Sequence, residues 1–119
     1  METATFSDGA LSKKVKELIA VGISVKSDCE SCMQWHIDQA AAAGATMREV
    51  LEAIEVGIEM GGGPATVSAR FALEVMEQVF PGEMTQHARD VAQRSAATRA
   101  AADLRKMGDQ YAMFNETRR

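Results

Sequence analysis

Apolar and polar positions alternate along the chain with helical rather than strand periodicity. From about Leu11 to Val25, the residues Leu11, Val15, Leu18, Ile19 and Gly22 share one helical face, and the run "LIAVGI" that follows Glu17 is apolar all round. A second helix is expected to open at Ser27 or Asp28, where Ser27 and Glu30 have the spacing of a capping box, and to stop at Gly44. Thr46 and Glu49 form a second such box, ahead of a stripe of Met47, Val50, Leu51, Ile54, Gly57 and Ile58 that ends at "GGG". Pro64 suits the first turn of a fourth helix, along which Val67, Phe71, Val75 and Val79 stack until "FPG" at 80–82 stops it. A fifth stretch, Glu83 to Met107, has helix propensity but only a weak apolar stripe, so it buries little on its own. Tyr111, Met113 and Phe114 follow as a small apolar anchor before a charged tail.

This pattern predicts an all-α protein, with a helical domain over residues 1–82 and a helical arm and tail over 83–119. Composition agrees: 46% of the 119 residues are hydrophobic, only 5% are aromatic and two are proline, which favours packed helices over a β-sandwich. Charge separates the two parts. Residues 1–83 hold six Lys/Arg against thirteen Asp/Glu, and residues 84–119 hold seven against four. The basic part is modest and aromatic-poor, which argues against nucleic acid as a partner; Arg89, Arg94, Arg99 and Arg105 read as a solvated face, or as a match for the acidic body of the same or a neighbouring subunit. The start "METATFSDGA" lacks the pattern of a secretory signal and no apolar run is long enough to span a membrane, so a reducing cytoplasm is the expected compartment.

The chemistry is concentrated in "SDCESCMQWH", residues 27–36, which holds both cysteines, the one tryptophan and one of two histidines. On a helix, Cys29, Cys32 and His36 lie three and four residues apart on one face. Cys29 would then sit in the first turn, where free N–H groups and the helix dipole favour a thiolate, and His36 would reach the sulfur of Cys32 as its base. Residues three apart on a regular helix have Cβ atoms roughly 5–6 Å apart, while a disulfide needs about 3.5–4.5 Å. A Cys29–Cys32 bridge therefore requires the first turn to tighten or fray. Three readings stay open on the residues alone: redox thiols, a zinc site completed by Glu17, water or another chain, and inert core residues. Glu17 falls roughly opposite the apolar stripe and beside Lys13, so periodicity reads it as half of a solvated pair.

The spacing Glu17-x11-Cys29-x2-Cys32-x3-His36, with the flanking run from "ELIAVGISVKSDCESC" to the "GGGPA" turn, resembles the alkylhydroperoxidase D-type branch of the carboxymuconolactone decarboxylase-like superfamily. The resemblance covers about residues 11–80. It implies a compact helical bundle of that type, assembled as a homotrimer or homohexamer, and a peroxidase; since the sequence carries no flavin or nicotinamide fingerprint, no cofactor is expected and electrons would come from an external thiol or protein reductant. It also implies roles by position. Cys32 would attack a small-molecule peroxide, Cys29 would resolve the sulfenic acid as a disulfide, His36 would relay the proton and Glu17 would orient His36. Well-studied members of this branch carry a further histidine directly before the second cysteine, where this chain has Ser31; a hydroxyl cannot shuttle charge near neutral pH, which points away from fast peroxide turnover more than from thiol–disulfide exchange. The lactone-decarboxylating branch generally lacks the cysteine pair. A different class altogether would be a non-enzymatic helical oligomer, zinc-bound or redox-sensing.

Overall fold

The computed structural model describes residues 2–116, with side chains for residues 4–113. The described residues form six helices: a single-turn α1 (Glu2–Thr5), then α2 (Lys13–Lys26), α3 (Glu30–Ala42), α4 (Met47–Gly61), α5 (Gly63–Val79) and α6 (Glu83–Glu116). The chain divides into two compact units, Met1–Met84 and Thr85–Arg119.

In the first unit α2 lies against α3 and α4, and α5 packs on both of them. The core between these helices is filled by Val21 and Val25, Met33 and Ile37, Val50 and Ile54, and Val75 and Met76, each at most 1% exposed. Several boundaries follow local chemistry visible in the sequence. Ser12 caps α2 by accepting the Val15 N–H, and the Thr46/Glu49 capping box is complete on α4. Gly44 takes a φ of +92° after α3, which a side chain would disfavour. Where α2 meets α4, Gly22 and Gly57 let the backbones touch. A Cβ at Gly57 would collide with the Gly22 carbonyl oxygen.

Three expectations about helix faces and ends are corrected in whole or in part. On α2 the face read from the pattern is only partly inside: Leu18 packs against the core and Gly22 meets α4, but Leu11, Val15 and Ile19 are 48%, 37% and 48% exposed, while Glu17, Val21, Ser24 and Val25 are buried. On α5 the predicted row is met in part: Val75 is buried and Phe71 and Val79 pack against the core, with Ala65, Ala69, Ala72 and Met76 buried beside them. Val67 is exposed. Third, α3 does not open with a Ser27–Glu30 box, for a reason given below.

The second unit is carried by α6, which runs through the expected end at Met107 and through Gly108 to Glu116. One glycine costs a helix only about 1 kcal/mol and does not stop it. Along α6, Val91, Leu104, Met107, Tyr111 and Met113 are exposed in the single subunit. The side chain of Phe114 and residues 117–119 lie outside the described residues. No described helix is long and apolar enough to cross a membrane.

Candidate active site

The turn between α2 and α3 decides where the cysteines sit. Ser27 ends α2, and its hydroxyl bonds back to the Ile23 carbonyl rather than forward to α3. Asp28 follows with φ +53°, a left-handed conformation that aspartate tolerates better than most residues. Asp28 donates its N–H to Val25 and Cys29 donates its own to Ser24, the paired bonds of a Schellman stop. The Asp28 carboxylate accepts from Ser68 of α5 at 2.8 Å, which pins the turn to the bundle. With Ser27 and Asp28 committed to closing α2, neither can cap α3.

Cys29 is therefore the residue just before α3, not a member of its first turn. Its backbone is extended, with φ −105° and ψ 95°, and it has no side-chain capping bond. Leaving the helical path lets its sulfur meet that of Cys32, and the two are joined as a disulfide with Cα atoms 5.2 Å apart. The sequence requirement that the first turn fray is met in this way. Both cysteines are partly exposed, and the Ser31 hydroxyl lies 3.6 Å from the Cys29 sulfur.

One turn beyond Cys32, His36 points toward α2. Its Nδ1 lies 2.7 Å from Glu17 Oε2, and the two side chains are 12% and 2% exposed. The second carboxylate oxygen of Glu17 accepts from Lys13 Nζ at 3.0 Å. The solvated reading of Glu17 is thus corrected in part: Lys13 is its neighbour as the i, i+4 spacing requires, but the carboxylate itself is buried under α3. A buried carboxylate is tolerated because both oxygens are paired. The Nε2 of His36 has no hydrogen-bond partner among the described residues, so it is the ring nitrogen left for exchange with a sulfur or a ligand.

Sequence reasoning did not anticipate Phe6. Its ring stacks on the His36 imidazole, with centroids 5.2 Å apart and planes 26° from parallel, and Lys13 Nζ stands 6.0 Å from the same ring. The only available signal was a single aromatic within an otherwise polar amino-terminal stretch. Four positions singled out by spacing, Glu17, Cys29, Cys32 and His36, are thus gathered at the α2–α3 contact, with Glu17 and His36 bonded to one another and the cysteines to one another. Among the described residues no three His, Cys, Asp or Glu side chains converge with the geometry to hold a metal ion.

Comparison with known proteins places this geometry among relatives. A family model described as "Carboxymuconolactone decarboxylase family" matches residues 1–75. "Uncharacterized protein 4 in cox locus" of Paracoccus denitrificans is 38% identical over 79 residues, which is 66% of this chain and 71% of that one. An uncharacterized protein of Cupriavidus necator is 44% identical over 73 residues, and the match spans 61% of this chain and 64% of the relative. Among solved structures, a carboxymuconolactone decarboxylase family protein from Legionella pneumophila, in its apo form, superposes with a TM-score of 0.61 at 40% identity, covering 65% of this chain and 69% of that one.

Proposed function

Since the chain belongs to the carboxymuconolactone decarboxylase family, we propose that it is an alkylhydroperoxidase D-like enzyme of that family, a thiol peroxidase with an antioxidant role. In this reading the reduced Cys32 thiol gives its proton to His36 Nε2, and the thiolate attacks the terminal oxygen of an organic hydroperoxide. The O–O bond breaks, a sulfenic acid forms on Cys32, and the alcohol leaves with the proton returned by His36. Cys29 then attacks the Cys32 sulfur, the S–S bond forms and water leaves. Two electrons and two protons from an external dithiol, small or protein-borne, restore the pair. Glu17 accepts the Nδ1–H of His36 throughout, and so holds the tautomer whose Nε2 is free to take a proton.

The observation that carries this reading is the buried Glu17–His36 hydrogen bond one helical turn from a redox-capable Cys29–Cys32 bridge. An inert core would bury apolar groups more cheaply than a carboxylate and an imidazole. Ser31 favours a second reading, thiol–disulfide exchange with a disulfide-bonded substrate. Its hydroxyl is the polar neighbour of Cys29 where a second relay histidine would otherwise stand. Either reaction fits a homotrimer or homohexamer, since Val15, Ile19 and Ile23 on the outer face of α2 are exposed and would gain cover in an assembly.

The test is a thiol count. Fully reduced protein is mixed with one equivalent of cumene hydroperoxide, and free thiols are titrated over time. Loss of both thiols with release of one equivalent of alcohol is expected. Survival of both thiols would sink the peroxidase reading, and rapid loss to a mixed-disulfide probe alone would move the assignment to exchange.

A further inference from the structure

The proposed relay uses one oxygen of Glu17, yet the carboxylate has two partners. Oε2 faces His36 Nδ1 at 2.7 Å, and Oε1 accepts from Lys13 Nζ at 3.0 Å. The lysine side chain is 41% exposed while the carboxylate is 2% exposed, so a solvated cation is brought to the edge of a buried anion. Most surface ion pairs of this spacing contribute little, because water already stabilises both charges. Here water is kept from one of them. Phe6 stacks on the far partner, His36, and stands beside the Lys13 ammonium, so the ring closes the side of the pair that the helices leave open.

A buried carboxylate whose sole partner was a neutral imidazole would leave its charge uncompensated. Two proton movements would relieve that. Glu17 could take a proton and donate it to Nδ1, which places the imidazole hydrogen on Nε2. Alternatively, His36 could take a second proton and become cationic. Either way Nε2 carries a hydrogen and has no lone pair for the Cys32 proton. A cation at Oε1 supplies the missing charge without moving a proton, so Glu17 stays ionised, Nδ1 stays the donor and Nε2 stays bare.

We propose that Lys13 is a positioning residue that sets the tautomer of His36 by compensating the buried charge of Glu17. The inference rests on the reading of His36 Nε2 as the acceptor of the Cys32 proton. It assigns to the exposed lysine a function that acts entirely through Glu17, with no contact to the cysteines. Phe6 contributes by holding the imidazole plane against the carboxylate and by excluding water from their contact.

The experiment reads the imidazole directly. Full-length protein labelled with nitrogen-15, carrying His87→Gln so that one histidine remains, is studied at neutral pH by long-range proton–nitrogen correlation. The background is compared with Lys13→Met, which keeps the length of the stem without its charge, and with Lys13→Arg, which restores a cation. Circular dichroism confirms that all three are equally helical. The expected result is a bare Nε2 with Lys13, loss of that bare-nitrogen signal in Lys13→Met, and its return in Lys13→Arg. A bare Nε2 that persists in Lys13→Met overturns the proposal, as does a protonated Nε2 with Lys13 in place, or an Arg variant that behaves like Met. None of these readouts uses a peroxide. Thiols that survive hydroperoxide would remove the proposed function and leave this inference standing, while an unchanged tautomer in Lys13→Met would do the reverse.

Discussion

The two long faces of α2 contradict what their residues suggest. One face carries Glu17 with Val21, Ser24 and Val25, and all four are buried; the other carries Val15, Ile19 and Ile23 in an unbroken row, and all three are exposed. Apolar residues are ordinarily the ones hidden, so the inversion needs a cause on each side. On the inner face the cause is local. Glu17 is paired at both oxygens, and the Ser24 hydroxyl donates to the Ala20 carbonyl, so burial leaves no polar atom unsatisfied. On the outer face Ile19 and Ile23 line a groove with Thr5 and Phe6 yet stay exposed within the first unit, and on α4 Val56 and Met60 are 62% and 67% exposed. The inner face is thus explained by chemistry within one chain, and the outer face is left to the assembly proposed above.

Substitutions on the two faces should separate these causes. The largest effect is expected from Glu17→Ala, which leaves Nδ1 of His36 without its acceptor. Hydroperoxide-driven thiol loss, followed by rapid mixing, should slow by about two orders of magnitude, the lower end of what acid–base catalysis contributes. An unchanged rate would reduce Glu17 to a structural pair. Next comes the seam on which both faces depend. Gly57→Ala forces a methyl group into the Gly22 carbonyl, and chemical denaturation should register a loss of about 1–3 kcal/mol, typical of an overpacked contact.

On the outer face, Ile19→Asp should leave subunit stability within about 0.5 kcal/mol, as for an exposed site. The mass of the assembly in analytical ultracentrifugation should fall. A chain that keeps its assembled mass would place the subunit contact elsewhere. The smallest effect lies at the start of α4. The Thr46 backbone N–H, and after it the Lys14 ammonium, hold the Glu49 carboxyl below its ordinary value. The folded chain therefore binds this proton less readily than the unfolded one, and the stabilisation is present above the ordinary carboxylate value and lost as the pH falls through the lower folded value. Melting temperatures of the parent and Glu49→Gln should differ slightly at neutral pH and converge in acid.

How much of this was legible beforehand depended on whether the signal was local. Thr46 with Glu49, Gly44 and Pro64 mark helix ends through bonds or backbone preferences spanning a few residues, and the structure places them as expected. Ser27 with Glu30 has the same local spacing, yet the box does not form, because Ser27 and Asp28 close the preceding helix and Asp28 is held by Ser68, forty residues away. Burial of Glu17 was invisible to periodicity for a similar reason. A hydrophobic stripe reports which face is apolar, whereas burial reports which face has a neighbour. The family resemblance carried by the spacing of Glu17, Cys29, Cys32 and His36 named these four as a candidate group, and Lys13 was noticed as the neighbour of Glu17. Phe6 was not, since no periodic or spacing rule links position 6 to position 36.

The central claim is that Cys32 attacks and Cys29 resolves. Trapping the sulfenic acid tests it most directly. Reduced Cys29→Ser and Cys32→Ser proteins are each treated with one equivalent of cumene hydroperoxide in the presence of dimedone, and adducts are read by mass spectrometry. The account predicts a single adduct on Cys32 in the Cys29→Ser protein and none in Cys32→Ser. An adduct on Cys29 in the Cys32→Ser protein, with none on Cys32 in the Cys29→Ser protein, would contradict it.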